Sequence, residues 1–395
     1  MAVYITPQSE IDKYFASESL SQSRLKTLLK GLDKFLDLQG VSDSDLYYEE
    51  NKSFIKGGAV DCILTGEEGK FEELYHVSDI ETKPSDVEMS IIKMMFDDIG
   101  FTQETVWRDM DLSMGTYESN LLASIEFHDW YKGKPGEKRI ASLIERGEEY
   151  FSDLKRSFGK QVLDKTEYIT INSIVQSLRE NPKTAKYFDR ERNAKVENVD
   201  FYYQLPIYFV YKGIDCKALL DLLIVFKDLD GNVVHVEPID LKTMAGSTLQ
   251  FGESLKRFRY DIQGAWYTES LLSPESSFKK LYPDDLNGKV KPFKFIVESS
   301  TDQGQPLVYE LTEEVLTIGR AGRPSFDMTD LGVLFDLNEP YRPITLVKKV
   351  KGFEELVEDY NYYQKQGWIA DRIIAENAGD VLKIGWEGIM SIYAD

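Results

Sequence analysis

The sequence predicts an α/β fold: a mixed central β-sheet flanked by helices, with a helical N-terminal elaboration and additions at the C-terminal end. Three observations carry this expectation. Between Lys217 and Lys242 two strand-like runs meet at Asp230-Gly231, the strongest short hairpin signal a sequence offers. Upstream, Asn198 to Tyr211 is aromatic and β-branched and turns through Lys212-Gly213 into the first of those runs. Segments with helical apolar spacing lie on both sides of this block and supply the cover a half-buried sheet needs.

Taken in order, the chain opens on Met1 to Phe15, which lacks the basic and apolar regions of a secretory leader. Ser17 to Leu36 sets Leu25, Leu28, Leu29, Leu32 and Phe35 at helical spacing behind two capping serines, Ser19 and Ser21, and predicts one amphipathic helix. Ser53 to Leu64 predicts a second. Its Gly57 and Gly58 would let another backbone approach closely, and Asp61 stands among Ala59, Val60, Cys62, Ile63 and Leu64. FEELYHV reads as a loop leading into a strand. Residues 85–158 are mixed and charged, with helical stretches such as SLIERGEEYFSDLKRSF, and Lys165 to Phe188 reads as a helix stopped near Pro182 with a short one beyond.

After the hairpin, Thr243 to Ser254 is polar and reads as a loop. Leu255 to Leu272 reads as one helix that carries Tyr260, Gln263 and Tyr267 on a single face and is opened by the basic turn Lys256, Arg257 and Arg259. Phe293–Ser299 and Leu307–Leu311 predict a further hairpin, followed by a helix capped by Thr312. Residues 324–350, with PYRP and the basic LVKKVK, read as an insertion, and GFEELVEDYNYYQKQGW as a C-terminal helix. In outline, 1–160 is a helical part that lends one helix to the site, 161–320 is the core, and 321–395 holds the insertion and last helix.

The chemistry concentrates in the central hairpin. Ala218 to Phe226 is an apolar run broken once, by Asp221. A two-residue turn on Asp230 and Gly231 places Asp221 directly across from Asp240 on one sheet face. Opposed side chains have Cβ atoms roughly 4.5–5.5 Å apart, and like charges there repel unless a positive group sits between them. Lys242 returns to the same face, while Ile239 and Leu241 point into the core. Carboxylate oxygens suit Mg²⁺, and a metal with an ammonium beside it suits phosphodiester hydrolysis. A solvent-facing Asp beside an ordinary Asp-Leu-Lys edge is the plain alternative.

Composition narrows the classes. With 395 residues, 42% apolar and 29% charged, the chain can bury a large core as one elaborated domain or two. No stretch has the apolar length of a membrane span, so the protein is expected to stay in the cytoplasm where it is made. Two cysteines, Cys62 and Cys216, are too few for a disulfide framework or an iron–sulfur cluster, and His76, His128 and His235 are not spaced as a zinc motif. A net charge of −21 confines any nucleic-acid contact to a local basic channel.

Asp221, followed across a hairpin by Asp240-Leu241-Lys242, resembles the PD-(D/E)xK nuclease core, and its surroundings are more similar to the RecE-like and phage-exonuclease branch than to the restriction-enzyme branches. Gln263 and Tyr267 match the Q-x-x-x-Y motif that follows the lysine in that group. Ser53–Leu64 resembles the G-x-A-x-H-x-L-L helix, with Asp61 where relatives usually carry His, and Gln204 falls where many carry Glu. The resemblance implies a restriction-endonuclease-like core with Mg²⁺, for which Mn²⁺ would substitute, bound by Asp221, Asp240, the Leu241 carbonyl and Asp61. It implies Lys242 positioning the attacking water, with Gln263 and Tyr267 orienting the lysine or the phosphate. Asp61 as a solvated residue near a helix end stands beside Asp61 as a ligand. Lys256, Arg257 and Arg259 are expected to grip DNA phosphates.

The function so implied is an exonuclease on linear double-stranded DNA in recombination or DNA processing, in a bacterial cell or phage-infected host. Its partners would be DNA, a single-strand annealing protein and further copies of itself. An endonuclease on the same core, and a non-catalytic nuclease-like DNA-binding or assembly protein, are the rivals.

Overall fold

The computed structural model describes residues 2–38, 52–80, 83–99, 137–323, 350–365 and 367. The expected insertion over 324–349, PYRP included, lies outside them. Two compact units are formed, Met1–Glu67 with Ser173–Asp395 and, separately, Glu68–Asn172. The described strands are β1 (Ala2–Ile5), β2 (Leu20–Ser21), β3 (Tyr75–Val77), β4 (Gln161–Leu163), β5 (Val199–Tyr211), β6 (Ile214–Lys227), β7 (Val233–Met244), β8 (Lys294–Ser299) and β9 (Leu307–Glu310).

In the first unit a mixed sheet runs in the order β1-β5-β6-β7-β8-β9, with β2 beside β6. The α/β class expected from sequence is therefore the one observed. β5, β6 and β7 form an antiparallel meander, whereas β7 and β8 run parallel. β1 was not foreseen: the opening residues pair in parallel with Asp200 to Tyr203 of β5. Pro206 falls beyond that stretch, where one side of β5 is an edge and a missing N–H is tolerated.

The central turn is not the expected two-residue type. The Asp228 amide donates to the Asn232 carbonyl at 2.9 Å and the Gly231 amide to the Asp228 carbonyl at 3.1 Å, with Gly231 at φ 87°. This longer loop sets Lys227 opposite Val233, one residue out of the expected pairing. Val234 then bulges outward, 52% exposed, and restores Phe226 opposite His235 and Leu222 opposite Ile239. The two irregularities cancel. The register that faces Asp221 with Asp240 is the expected one, reached through a different turn.

Two single-helix expectations are corrected. Ser17 to Leu36 is broken into β2, a Gln22–Thr27 helix, a 3₁₀ turn at Leu28–Lys30 and a Leu32–Asp37 helix. Leu20 and Ser21 are drawn into the sheet beside Cys216 and Lys217, Ser21 caps the Arg24 amide, and Gly31 turns at φ 105°. Leu25, Leu32 and Phe35 are buried, but Leu29 is left exposed. Leu255 to Leu272 is likewise two helices, Phe251–Phe258 and Tyr260–Leu272, parted at Arg259, which adopts the left-handed conformation at φ 53°, ψ 51°. The Lys52–Thr65, Lys165–Glu180, Glu313–Ala321 and Phe353–Lys365 helices form where the sequence places them.

The Tyr260–Leu272 helix lies on the sheet through a core in which Trp266 is fully buried, edge-on to Phe209 and Phe353, with its Nε1–H donated to the Lys217 carbonyl at 3.0 Å. Lys217 is itself 1% exposed. Its ammonium donates to the Tyr14 and Ser17 carbonyls, each at 2.8 Å, and lies 4.7 Å from the Tyr14 ring centroid. A buried lysine thus ties the end of the Gln8–Ala16 helix to β6, where a cation also meets the negative end of the helix dipole.

In the second unit β3 pairs in parallel with β4 beside the Glu137–Ser157 helix. His76 Nε2 lies 2.7 Å from the buried carboxylate of Asp153, which also accepts from Arg156 at 3.1 Å. FEELYHV, expected as a loop leading into a strand, does run into β3, but its first part belongs to a short Lys70–Leu74 helix. Among the described residues no helix is long and apolar enough to cross a membrane.

Lys217→Met keeps the apolar stem and removes the ammonium, so the Tyr14 and Ser17 carbonyls lose a buried donor. Each such loss costs about 1–3 kcal/mol. The expected outcome is a lower denaturant midpoint with proteolytic cutting concentrated before Ser21; an unchanged midpoint would refute the anchor.

Candidate active site

The site lies where the sheet forks. The last regular β6–β7 pair is Leu222 with Ile239, and from Ile239 onward β7 pairs with β8 instead. Asp221 and Asp240 stand at the point of separation. There the Asp221 side chain replaces the ladder: its Oδ2 accepts the Leu241 amide at 2.8 Å. Asp240 is 2% exposed; its Oδ1 accepts from Gln263 Nε2 at 2.6 Å, and its Oδ2 lies 2.7 Å from Lys242 Nζ without a directed hydrogen bond. Lys242 Nζ also lies 5.0 Å from the centre of the Tyr260 ring.

Asp61 enters from the Lys52–Thr65 helix. A Cβ on Gly57 would meet Thr243 Oγ1 at 3.1 Å, so the glycine lets this helix lie close on β7, as its sequence suggested. The carbonyls at the end of the helix are held by Arg190, which donates to Leu64 at 2.7 Å and Gly66 at 2.8 Å. Thr65, one turn after Asp61, returns its hydroxyl to the Asp61 carbonyl at 2.7 Å and accepts Gln204 Nε2 at 2.7 Å. Gln204 reaches Asp221 Oδ1 at 3.4 Å from a left-handed backbone, φ 54°. That twist interrupts the β5–β6 pairing between Tyr203 and Leu205.

Electrostatics bind the three carboxyls together. Burial, and then the Asp240 charge, push Asp221 up to about 8, against the pull of Lys242 and the Leu241 amide. Burial raises Asp61 well above the usual carboxylate range, and Asp221 and Asp240 raise it further. Asp240 is also raised by burial, though Lys242 offsets much of the cost. Burial works against the charge on Lys242, but Asp240, Tyr260 and Asp221 outweigh it and hold the side chain as an ammonium. Carboxyls in such surroundings take up a proton or a cation.

The structure therefore brings together Asp221, Asp240, Lys242 and Gln263, with Asp61 in the same electrostatic field. Tyr267 sits 6% exposed in the apolar core with its ring edge-on to Phe293; the tyrosine against Lys242 is Tyr260. Lys256 and Arg257 are exposed at the end of their helix. Arg259 differs: its guanidinium grips Asp261 at 2.9 and 3.0 Å and the Lys351 carbonyl at 2.7 Å. Residues not selected from sequence also join the site. Gln204 and Thr65 link Asp221 to the Asp61 helix, and Lys26 lies with its Nζ 5.9 Å from the Tyr260 ring centre. Thr65 and Asp61 share a helix face at i, i+4, which was legible; no local pattern marks Lys26.

The donor set has the chemistry of a hard divalent-cation site: acid oxygens without thiol or imidazole, one of them buried with no directed hydrogen bond. As they stand, no three His, Cys, Asp or Glu side chains among the described residues are grouped tightly enough to hold a metal ion. No family model and no curated protein matches the chain. Among solved structures it is similar to a "putative exonuclease" from Eubacterium rectale, at 13% identity and TM-score 0.28, over 79% of this chain and 98% of that one.

Asp221 provides a pH test. Its folded value of about 8 lies above the ordinary ~3.9 of an unfolded chain. The folded state then binds this proton more tightly, so the stability it contributes is full below about pH 4 and is lost as pH rises through about 8. Asp221→Asn keeps an acceptor for the Leu241 amide and removes the titration. In metal-free protein its margin over wild type in unfolding free energy is expected to grow by roughly 5 kcal/mol between pH 4 and pH 9. Parallel pH profiles would show that Asp221 titrates normally.

Proposed function

We propose that this protein is a divalent-metal-dependent deoxyribonuclease of the PD-(D/E)xK type, acting as an exonuclease on linear double-stranded DNA in recombination or DNA processing. The observation that carries the reading is the fork: Asp221, Asp240 and Lys242 on one sheet face, with Gln263 on Asp240.

Asp221 and Asp240, with the Leu241 carbonyl and Asp61, would hold Mg²⁺ or Mn²⁺, which when bound acidifies water and offsets charge on the phosphate. Gln263 occupies Asp240 Oδ1 and so fixes the direction of Oδ2. Lys242, kept charged by Asp240 and seated on the Tyr260 ring, offers N–H donors to the attacking water or a phosphate oxygen. Tyr267 would act from the core, by holding the helix turn that aims Gln263. Lys256 and Arg257, exposed at the end of their helix, would meet DNA phosphates, while Arg259 serves the hinge before Tyr260. Degradation from an end, an annealing-protein partner and self-assembly rest on the resemblance of the motif alone.

The test is cleavage of end-labelled linear duplex against closed-circular DNA, with and without Mg²⁺. Release of nucleotides from linear DNA only is expected; cutting of the circle would make the enzyme an endonuclease. A compact ammonium placed to a fraction of an ångström is not replaced by a planar fork. Lys242→Arg and Lys242→Ala should therefore both lose at least about 100-fold in single-turnover rate while still binding DNA. Arg at the wild-type rate would remove Lys242 from the mechanism, and wild type that binds but never cuts under any divalent ion would leave a scaffold.

A further inference from the structure

A second lysine reaches the fork from a distant part of the chain. β2 runs parallel to β6 with Ser21 opposite Lys217, and the Gln22–Thr27 helix follows directly. Lys26, on its last turn, is half-buried. Its Nζ donates to the Phe258 carbonyl at 3.1 Å and lies 5.9 Å from the centre of the Tyr260 ring, the ring on which Lys242 Nζ also sits at 5.0 Å. Two ammonium groups thus attend one aromatic ring at the edge of the carboxylates.

The chain holds Lys26 there by unusual means. The Phe258 carbonyl is free for it because Arg259 breaks the helix in a left-handed conformation, which costs a non-glycine residue energy, and the Arg259–Asp261 pair pins that break. An ammonium has three donors. Among the described residues one is used, by Phe258. Lys242, on the same ring, repels a second positive charge, so both gain from an anion bound beside them. Burial and then Lys242 depress Lys26 to about 7, and the Asp261 and Asp240 charges offset this only in part.

We propose that Lys26 is a phosphate-positioning residue, whose ammonium binds the nucleic-acid backbone phosphate lying next to Lys242. The identity of that anion as DNA rests on the nuclease reading above. Lys26 then fixes the strand against the fork, while Lys242 faces the reacting oxygen.

The experiment uses the full chain and measures duplex DNA binding across salt concentrations without divalent ion, so that cutting plays no part. Lys26→Gln can still donate to the Phe258 carbonyl but carries no charge; Lys26→Arg keeps the charge. Loss of one phosphate contact should flatten the plot of log affinity against log salt by about 0.9 in Lys26→Gln, with Lys26→Arg close to wild type. Equal slopes in wild type and Lys26→Gln, or an equal loss in Lys26→Arg, would overturn the proposal. Thermal melting accompanies each variant, and Lys26→Met is read the same way should Lys26→Gln not fold. Wild type that binds DNA yet cuts none with Mg²⁺ or Mn²⁺ sinks the nuclease reading and leaves the slope to decide Lys26.

Discussion

Two carboxyls facing each other in a buried place are the constraint on which the rest of this structure depends. Asp221 and Asp240 repel in proportion to their closeness and to the poverty of water around them, and Asp61 adds a third acid to the same field. A fold keeps such a group only if its surroundings supply positive charge, hydrogen-bond donors or a shared proton. Here all three are visible in part: Lys242 against Asp240, Gln263 and the Leu241 amide as donors, and raised carboxyl affinities for protons. Asp240 Oδ2, paired with the Lys242 ammonium at 2.7 Å, still shares its field with Asp221, and there a cation would do most.

The sheet creates this place by dividing. While β6 and β7 are paired, their amides and carbonyls satisfy one another and their side chains fill the core. Once β7 turns to β8, the Leu241 amide is free to be taken by a side chain, that of Asp221. The surrounding elements are tied accordingly. Lys217 fastens the N-terminal helix to β6, Arg190 closes the end of the Asp61 helix, and the Arg259–Asp261 pair sets the angle at which Tyr260 and Gln263 arrive. The charged groups in these ties are buried or half-buried and do their work away from bulk water, where hydrogen bonds to charge are stronger.

A protein of net charge −21 can meet a polyanion only through a local field. Lys26 and Lys242 at the fork, with Lys256 and Arg257 exposed nearby in sequence, give such a field a defined position. The left-handed Arg259 sets where Phe258 and Tyr260, the two contacts of Lys26, are presented.

Local signals in the sequence mark the β5–β6–β7 meander, the β8–β9 hairpin and several helices, because alternation, apolar runs and turn residues bear directly on backbone pairing. Asp240, Lys242 and Gln263 were legible for the same reason: each sits at a fixed spacing within one strand or helix. The register came out as expected only because Val234 bulges to undo the longer turn, and two compensating irregularities leave no trace in a pattern of period two. Tertiary structure decided the rest. Leu20 and Ser21 left a helical pattern because β6 offered an unpaired edge, and Arg259 broke a helix of good propensity because Asp261 and the Lys351 carbonyl hold its side chain outside it. Lys26, Gln204 and Thr65 joined the site through contacts between residues far apart along the chain, and those distances are set by packing, which no window of neighbouring residues encodes.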